Sequence, residues 1–355
     1  MKPVFILAAI LIFGLLIAIH EFGHFLAAKL CGVRVIEFSI GMGPLLWHKE
    51  TEETCYSLRL LPFGGFCAME GEDEDTGHAR SFVRQSFWKK ALILAAGSLM
   101  NLLAGVLILL VLYAGSAYLL TDVVAGVAPE FDRVGENGLM EGDVVYKVNG
   151  YRTYLKGDTS LFLSYADDTV DLEVIRDGRH IKLDGLARNT YTGTDGVTKY
   201  TGFGIYVGTR IEEATPLSKL KFTLYNALDF VQLTWFSLAE MVAGNVGMED
   251  MSGPVGIVST MTEAGEQAET ARDAWGQIFY FAALLAVNLA VMNLLPIPAL
   301  DGGRIFFLLV DAVCLLLFKK KVPEEYQGWI HTAGFAALMA FMLLVTFNDV
   351  FRLFR

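Results

Sequence analysis

Four long stretches of apolar residues dominate the pattern along the chain. They run from Pro3 to about Lys29, from Ala91 to Leu120, from about Ile278 to Leu300, and from Trp329 to Phe347. Each is close to or above the roughly 20 apolar residues that an α-helix needs to cross a bilayer. The pattern therefore predicts a polytopic α-helical membrane protein with four transmembrane helices.

A fifth stretch, Leu220–Val242, mixes apolar and polar residues at helical spacing. Its apolar face carries Leu224, Leu228, Val231, Trp235 and Val242, and its polar face carries Asn226, Asp229, Gln232 and Glu240. This amphipathic pattern predicts a helix that lies in the membrane interface. A fifth membrane span is the alternative interpretation.

The segment between the first two spans has the pattern of a β-hairpin. Glycine- and proline-containing turns at 41–44 and 62–66 flank alternating residues such as Cys55–Leu60. Such backbone is tolerated at membrane depth only where it lines a cavity or is covered by protein, and its edge could pair with an extended peptide. An ordinary cytoplasmic hairpin is the alternative.

The middle of the chain has the pattern of a small α/β or mostly β domain. Gly138–Gly150 contains a turn, a strand and an Asn-Gly turn, and Val170–Arg176 alternates before an Asp-Gly turn. We therefore expect three parts. Residues 1–120 hold the first two transmembrane helices and the hairpin, 121–216 form the inserted domain, and 217–355 hold the interfacial helix and the last two transmembrane helices.

Composition supports membrane residence and argues against one class of partner. The chain has 355 residues, 54% of them hydrophobic, and a formal net charge of −11. With that charge and no long basic run, a nucleic-acid partner is not expected. The N-terminal apolar run starts like a signal peptide, but no small-residue cleavage site follows it, so we expect this helix to be retained.

Lysine clusters give the orientation. Lys89-Lys90 precede the second span, and Lys319–Lys321 lie between the third and the fourth. With four spans both clusters fall on one side, which the positive-inside rule makes cytoplasmic. The chain is then a multi-pass cell-membrane protein whose inserted domain is extracytoplasmic, with the cytoplasmic end of the first span near His20 and His24.

The cysteines do not predict a disulfide framework. Cys31, Cys55, Cys67 and Cys314 form no CxxC pair, and none lies in the middle domain. We expect reduced thiols. A second metal site made by Cys55 and Cys67 with His48 is the alternative.

The first span contains His20-Glu21-Phe22-Gly23-His24. Charged groups inside a bilayer cost about 2.5–3.5 kcal/mol each, so such residues need a compensating role. On a helix, His20 and His24 lie one turn apart on one face. Two neutral imidazoles in this arrangement can hold Zn²⁺, and Glu21 can act as a base toward water. The alternative is a pair of histidines bonded to neighbouring helices.

A second motif, Asn293-Leu-Leu-Pro-Ile-Pro-Ala-Leu-Asp-Gly-Gly303, ends the third span. Its two prolines break or distort a helix, and its two glycines allow close backbone approach. Because a catalytic zinc site usually has three protein ligands, Asp301 is the candidate for the third. A helix cap or a partner of Arg304 is the alternative role for Asp301.

These two motifs and the domain between them resemble the site-2 protease family, whose members are zinc metalloproteases that cut within the membrane. The likeness is greatest to the bacterial type that releases membrane-anchored anti-sigma factors. Gly97–Asn101 matches a helix-packing motif of that family, and Gly138–Gly150 looks like part of a PDZ domain. Some relatives carry two PDZ domains, whereas the middle region here is long enough for one.

The resemblance implies a role for each motif residue. His20, His24 and Asp301 would bind zinc, and Glu21 would be the catalytic base. Asn293 matches a position that engages the substrate backbone. The family's hairpin corresponds to about 36–69 here, with candidate substrate contacts at Gly41, Gly43, Gly64 and Gly65.

The expected function is that of a zinc-dependent intramembrane metalloendopeptidase. Its partners would be the lipid bilayer and single-pass membrane substrates, with anti-sigma factors and signal-peptide remnants as examples. Two other classes remain open on sequence. One is a metal transporter that uses the same three ligands, and the other is a membrane scaffold that binds peptides through the PDZ-like domain.

Overall fold

The structure is a computed structural model that describes residues 2–72, 75–193, 197–247, 251–320 and 322–353. Lys321 of the second lysine cluster and Asp73 in the acidic loop after the hairpin lie outside these ranges. The chain forms two compact units. One comprises Met1–Ile108 with Thr234–Arg355, and the other comprises Leu109–Leu233.

The helices and strands follow one another in this order: α1 (Lys2–Cys31), β1 (Val35–Glu50), β2 (Cys55–Met69), α2 (Phe87–Ala114), β3 (Tyr118–Val127), β4 (Val144–Val148), β5 (Tyr151–Arg152), α3 (Asp158–Ser164), β6 (Thr169–Arg176), β7 (Arg179–Ala187), β8 (Asn189–Thr192), β9 (Lys199–Gly202), β10 (Ile205–Glu213), α4 (Pro216–Ala243), α5 (Pro254–Gln267), α6 (Ala271–Asn293), α7 (Asp301–Phe318) and α8 (Glu324–Leu353).

Within the described residues, four helices are long and apolar enough to cross a membrane: α1, α2, α6 and α8. The chain is thus a multi-pass membrane protein, as predicted. Two predicted ends were wrong. The second span ends at Ala114, a turn follows at Gly115, and Leu120 belongs to β3. The third ends at Asn293, before the two prolines that cannot continue the helix.

Small residues bring the membrane helices together. A Cβ added at Gly23 of α1 would lie 2.4 Å from the carbonyl oxygen of Ala96 in α2, so these two backbones are in direct contact. A Cβ at Gly105 of α2 would lie 2.8 Å from Val287 Cγ2 in α6. Close backbone approach of this kind is the usual basis of helix association in lipid.

Strands β1 and β2 form an antiparallel hairpin beside α1. Ser39 of β1 has a partner in Ser57 and another in Phe66, and Ile40 has partners in Leu58 and Gly65. The segment at Gly65 and Phe66 therefore forms an outer edge of this small sheet.

Asp349 on α8 holds the segment 252–257, where α5 begins. The Asp349 carboxylate on α8 accepts hydrogen bonds from the backbone N–H groups of Gly253 and Gly256 at 3.2 and 2.8 Å. This satisfies donors that an α-helix leaves open at its N-terminus. A Cβ at either glycine would lie within 3 Å of this carboxylate, so both positions need glycine.

The second unit is rich in β-structure. Its main sheet has the order β10-β3-β4-β6-β7, with β5 paired to β4, and β8 pairs with β9. The unit extends beyond the predicted domain of 121–216, because it also includes the end of α2 and α4 up to Leu233.

Helix α4 has the two predicted faces, but the polar face is the buried one. Asn226 and Asp229 are almost fully buried, whereas Leu224 and Leu228 are about half exposed. The Gln232 amide accepts from the Arg152 backbone N–H and donates to the Arg152 carbonyl oxygen. The exposed apolar face is suited to contact with lipid.

The buried Asp229 predicts a pH dependence of this unit's stability. Burial, and to a lesser degree the Asp158 carboxyl, raises the pKa of Asp229 to about 8, against about 3.9 in an unfolded chain. The folded unit thus holds a proton that the unfolded chain releases above pH 4, and the free energy of unfolding falls as pH rises from about 4 to 8. We expect Asp229→Asn to raise the unfolding temperature more at pH 8.5 than at pH 5.

Heating followed by limited proteolysis of residues 121–216 in the full chain measures this effect. Asp167→Asn, at an exposed aspartate, is the matched control and should change nothing at either pH. An equal effect of Asp229→Asn at both pH values would show that Asp229 is ionised in the folded unit.

Candidate metal centre

Three side-chain atoms from distant parts of the sequence meet at one point. His20 Nε2 and His24 Nε2 are 3.2 Å apart, and they lie 3.0 and 3.1 Å from Asp301 Oδ2. The two imidazoles are placed by one turn of α1, and the carboxylate is placed by the first residue of α7. All three residues are largely buried, the aspartate less completely than the histidines.

This donor set fits a zinc ion. In tetrahedral coordination with bonds of about 2.0–2.2 Å, neighbouring ligand atoms are about 3.3 Å apart, close to the separations seen here. Asp301 Oδ2 is buried and makes no hydrogen bond of acceptable geometry with any described residue, although two ring nitrogens lie within 3.1 Å. The three atoms are thus arranged around a common point rather than along N–H···O lines.

Helix α2 completes the wall behind the two histidines. The backbone carbonyl oxygen of Ile93 lies 2.8 Å from His24 Nδ1, where it accepts a hydrogen bond from the ring. Asn101 lies 3.4 Å from His20 Nδ1. A Cβ at Gly97 would be 2.4 Å from His24 Nε2 and 2.8 Å from His20 Nε2, so only glycine leaves room for the ligand atoms.

A tight loop between α6 and α7 delivers Asp301. A Cβ at Gly302 or Gly303 would lie within 2.4 Å of the backbone of residues 294–297, which confirms the close approach expected from these glycines. Ala299 adopts a left-handed conformation with φ of 79°, which is strained for a residue with a side chain. Its N–H donates to His331 Nδ1 of α8 at 3.1 Å, a contact that the sequence alone did not predict.

The alternative roles for Asp301 find little support in these contacts. Arg304 forms its ion pair with Glu72. The N-cap position of α7 is Leu300, and no side chain caps it. The Asp301 carboxylate instead points at the two histidines.

A cavity of about 260 Å³ opens at the ligand atoms. Glu21 lines this cavity with His20 and Asp301, and so does Asn293 at the last turn of α6. Both predicted polar residues therefore face the space next to the ligands. An amide such as that of Asn293 can hold a substrate, and a carboxylate such as that of Glu21 can move a proton beside it.

Of the four predicted hairpin glycines, one lies next to the site. A Cβ at Gly65 would lie 3.5 Å from Glu21 Cγ. Gly41, Gly43 and Gly64 have positive φ and contact other residues of the hairpin, chiefly Leu61 and Met42. Their place in the structure indicates a role in shaping the hairpin.

The predicted alternative metal site is not assembled. The cysteines have free thiols, and among the described residues the one group of three such ligands is His20, His24 and Asp301. Burial raises the pKa of the Cys67 thiol, which disfavours the thiolate that binds metal.

Comparison with known proteins extends over nearly the whole chain. The model of peptidase family M50 matches residues 8–341. A protein of Clostridium perfringens that is named as a zinc metalloprotease is 34% identical, with 98% of each chain covered. One of Clostridium acetobutylicum with the same kind of name is 35% identical, with 97% of each covered. The regulator of sigma-W protease of Bacillus subtilis is 29% identical over 98% of this chain and 99% of its own.

Proposed function

Because this chain belongs to peptidase family M50, the site-2 proteases, and is a zinc-dependent metalloprotease, we propose that it hydrolyses peptide bonds within or next to transmembrane segments of single-pass proteins. The observation that carries this proposal is the convergence of His20, His24 and Asp301 within 3.2 Å, with Glu21 lining the same cavity.

We assign the zinc to those three side chains. When bound, zinc polarises a carbonyl oxygen and lowers the pKa of water toward 7. Glu21 takes a proton from the attacking water and passes it to the nitrogen of the leaving amine.

Substrate is held in an extended form. A transmembrane helix hides its amides in its own hydrogen bonds, so it must unwind before attack. We propose that the unwound strand pairs with the outer edge at Gly65 and Phe66, beside Glu21. The Asn293 amide, which lines the same cavity, would bind the substrate backbone there.

The topology and the second unit belong to the same proposal. The lysine clusters support a cytoplasmic side near the metal centre and an extracytoplasmic, PDZ-like domain at 121–216. The exposed leucines of α4 support a helix that lies on the membrane rather than across it. The Bacillus relative is named as a regulator of sigma-W protease, and we propose membrane-anchored anti-sigma factors and signal-peptide remnants as substrate classes of this chain.

Metal content tests the ligand assignment. Purified protein should contain about one zinc per chain, and Asp301→Ala should lower both zinc content and cleavage because it leaves two protein ligands. Atomic absorption after gel filtration measures this, with Asp311→Ala on the same helix as the control. Full zinc retention in Asp301→Ala would exclude this residue from the site.

Cleavage of two matched substrates tests the function. We expect proteoliposomes containing this protein to cut a single-pass peptide with Gly-Gly in the middle of its helix, and to cut the Leu-Leu version more slowly. A chelator should stop the reaction, and added zinc should restore it. Zinc flux without cleavage would support a transporter, and peptide binding to residues 121–216 without cleavage would support a scaffold.

Cysteine labelling tests the orientation. In a variant without native cysteines, Asp167→Cys should react with an impermeant maleimide added outside intact cells, and Thr76→Cys should not, because the lysine clusters place it inside. Both positions are exposed in the structure. The reverse labelling pattern would contradict the proposed orientation.

A further inference from the structure

The side-chain amide of Asn101, next to His20, has polar contacts that do not match its chemistry. Its side chain is fully buried in α2. Its amide nitrogen lies 3.4 Å from His20 Nδ1, and its amide oxygen is buried without a hydrogen-bond partner in the described part of the chain. A buried amide oxygen left in this way is destabilising, because it has lost its hydrogen bonds to water and gained none in return.

The chemistry of His20 decides which end of the amide belongs at the ring. His20 turns Nε2 toward His24 and Asp301. An imidazole that binds a metal through Nε2 must carry its proton on Nδ1. The atom facing Nδ1 must then be an acceptor, and an amide nitrogen is a donor only.

Rotating the amide by half a turn removes the conflict at His20. The two ends of a carboxamide have nearly the same shape, so the rotation needs no change in packing. The oxygen then accepts a hydrogen bond from His20 Nδ1–H, and the NH2 group takes the former place of the oxygen in a side chain that also lines the cavity at the metal centre. We infer that Asn101 is a positioning residue, whose side-chain oxygen accepts from His20 Nδ1–H and holds His20 Nε2 ready to bind zinc.

The second histidine supports this inference. His24 Nδ1 lies 2.8 Å from the carbonyl oxygen of Ile93, which is an acceptor and can be nothing else. Both acceptors lie on α2, two turns apart. Helix α2 therefore fixes the same tautomer on both rings, with a backbone oxygen at one and the Asn101 oxygen at the other.

Two substitutions of similar size distinguish a role of the Asn101 side chain as a hydrogen-bond acceptor from its other roles. Asn101→Asp keeps the shape and offers only acceptors, whereas Asn101→Leu keeps the branching and offers none. We expect Asn101→Leu to weaken zinc binding about 10–100-fold and Asn101→Asp to stay within about threefold of the natural protein. Competition with a chelator measures the zinc affinity, and the visible spectrum of the cobalt-substituted protein shows whether His20 remains a ligand.

Ser98→Ala is the matched control. Ser98 is buried in the same helix with no hydrogen-bond partner for its hydroxyl among the described residues, and its loss should leave zinc binding unchanged. Natural affinity in Asn101→Leu would overturn the inference, as would an Asn101→Asp variant that binds as weakly as Asn101→Leu. The second result would mean that the amide acts as a donor.

The inference about Asn101 rests on the proposed set of zinc ligands. The variant His20→Ala tests the ligand set separately from the role of Asn101. Unchanged zinc affinity in His20→Ala would refute the ligand set. Weak binding in His20→Ala with natural binding in Asn101→Leu would refute the role of Asn101 alone. If Asn101→Leu does not fold, ¹⁵N spectra of the zinc-loaded natural protein decide. The His20 signal should show a protonated Nδ1 and should shift in Asn101→Asp; an unprotonated Nδ1 would overturn the inference.

Discussion

Replacing Glu21 by Gln is expected to lower the rate of peptide cleavage by about 10²–10⁴-fold while leaving the zinc content unchanged. The amide keeps the size of the carboxylate but cannot take a proton from water. Glu21 is not one of the three converging ligands, and it lines the cavity beside them. The measurement is cleavage of the Gly-Gly peptide in proteoliposomes, together with zinc analysis of the same sample.

The surface variant Glu53→Gln is the control for this experiment. Glu53 is half exposed and pairs with Lys29 and Arg80, and exposed ion pairs of this kind contribute little to stability. The Glu53→Gln variant should cleave the Gly-Gly peptide at the same rate as the natural protein. Near-normal turnover by Glu21→Gln would refute the catalytic role of Glu21, and loss of its zinc would show that Glu21 helps to bind the metal.

Adding one methyl group at Gly97 is expected to abolish zinc binding. The new Cβ would lie 2.4 Å from His24 Nε2 and 2.8 Å from His20 Nε2, far inside van der Waals contact. Neither ring can retreat easily, because His24 is hydrogen-bonded to the Ile93 carbonyl oxygen and both rings project from one face of α1. The Gly97→Ala variant should therefore bind zinc more than 100-fold more weakly than the natural protein, and it should lose cleavage activity as a result.

Gly105→Ala on the same helix is the matched control. Its Cβ would lie 2.8 Å from Val287 Cγ2 and 3.2 Å from the carbonyl oxygen of Ala283, so α6 would have to shift slightly, but none of these atoms belongs to a ligand residue. It should retain zinc even if the protein is somewhat less stable. Gly97→Ala that binds zinc as well as the natural protein would mean that α2 does not lie against the ligand atoms.

The sequence was most informative where local spacing decides the outcome. His20 and His24 are one helical turn apart, so α1 alone places them on one face. Apolar length identified the four spans, although the predicted ends of the second and third lay too far along the chain, and the prolines and glycines after Asn293 indicated a helix break and a tight loop. These features depend on residues within a few positions of each other.

Contacts between distant segments were less predictable. Asp301 was a candidate because zinc needs a third ligand, but its position beside the histidines depends on how α7 packs near α1. The contacts of Gly97, Asn101 and His331 were not predicted, because no local pattern tells which side chain on a uniformly apolar helix faces a polar site.

Helix α4 shows the difference between pattern and placement. The sequence by itself determined that the helix has an apolar and a polar face, because helical periodicity fixes which residues share a side. The tertiary structure decided that the polar face, with Asn226 and Asp229, is the buried one. The hydrogen bonds of Gln232 with the Arg152 backbone help to make this burial favourable, and membrane lipid offers the apolar face a better environment than water would.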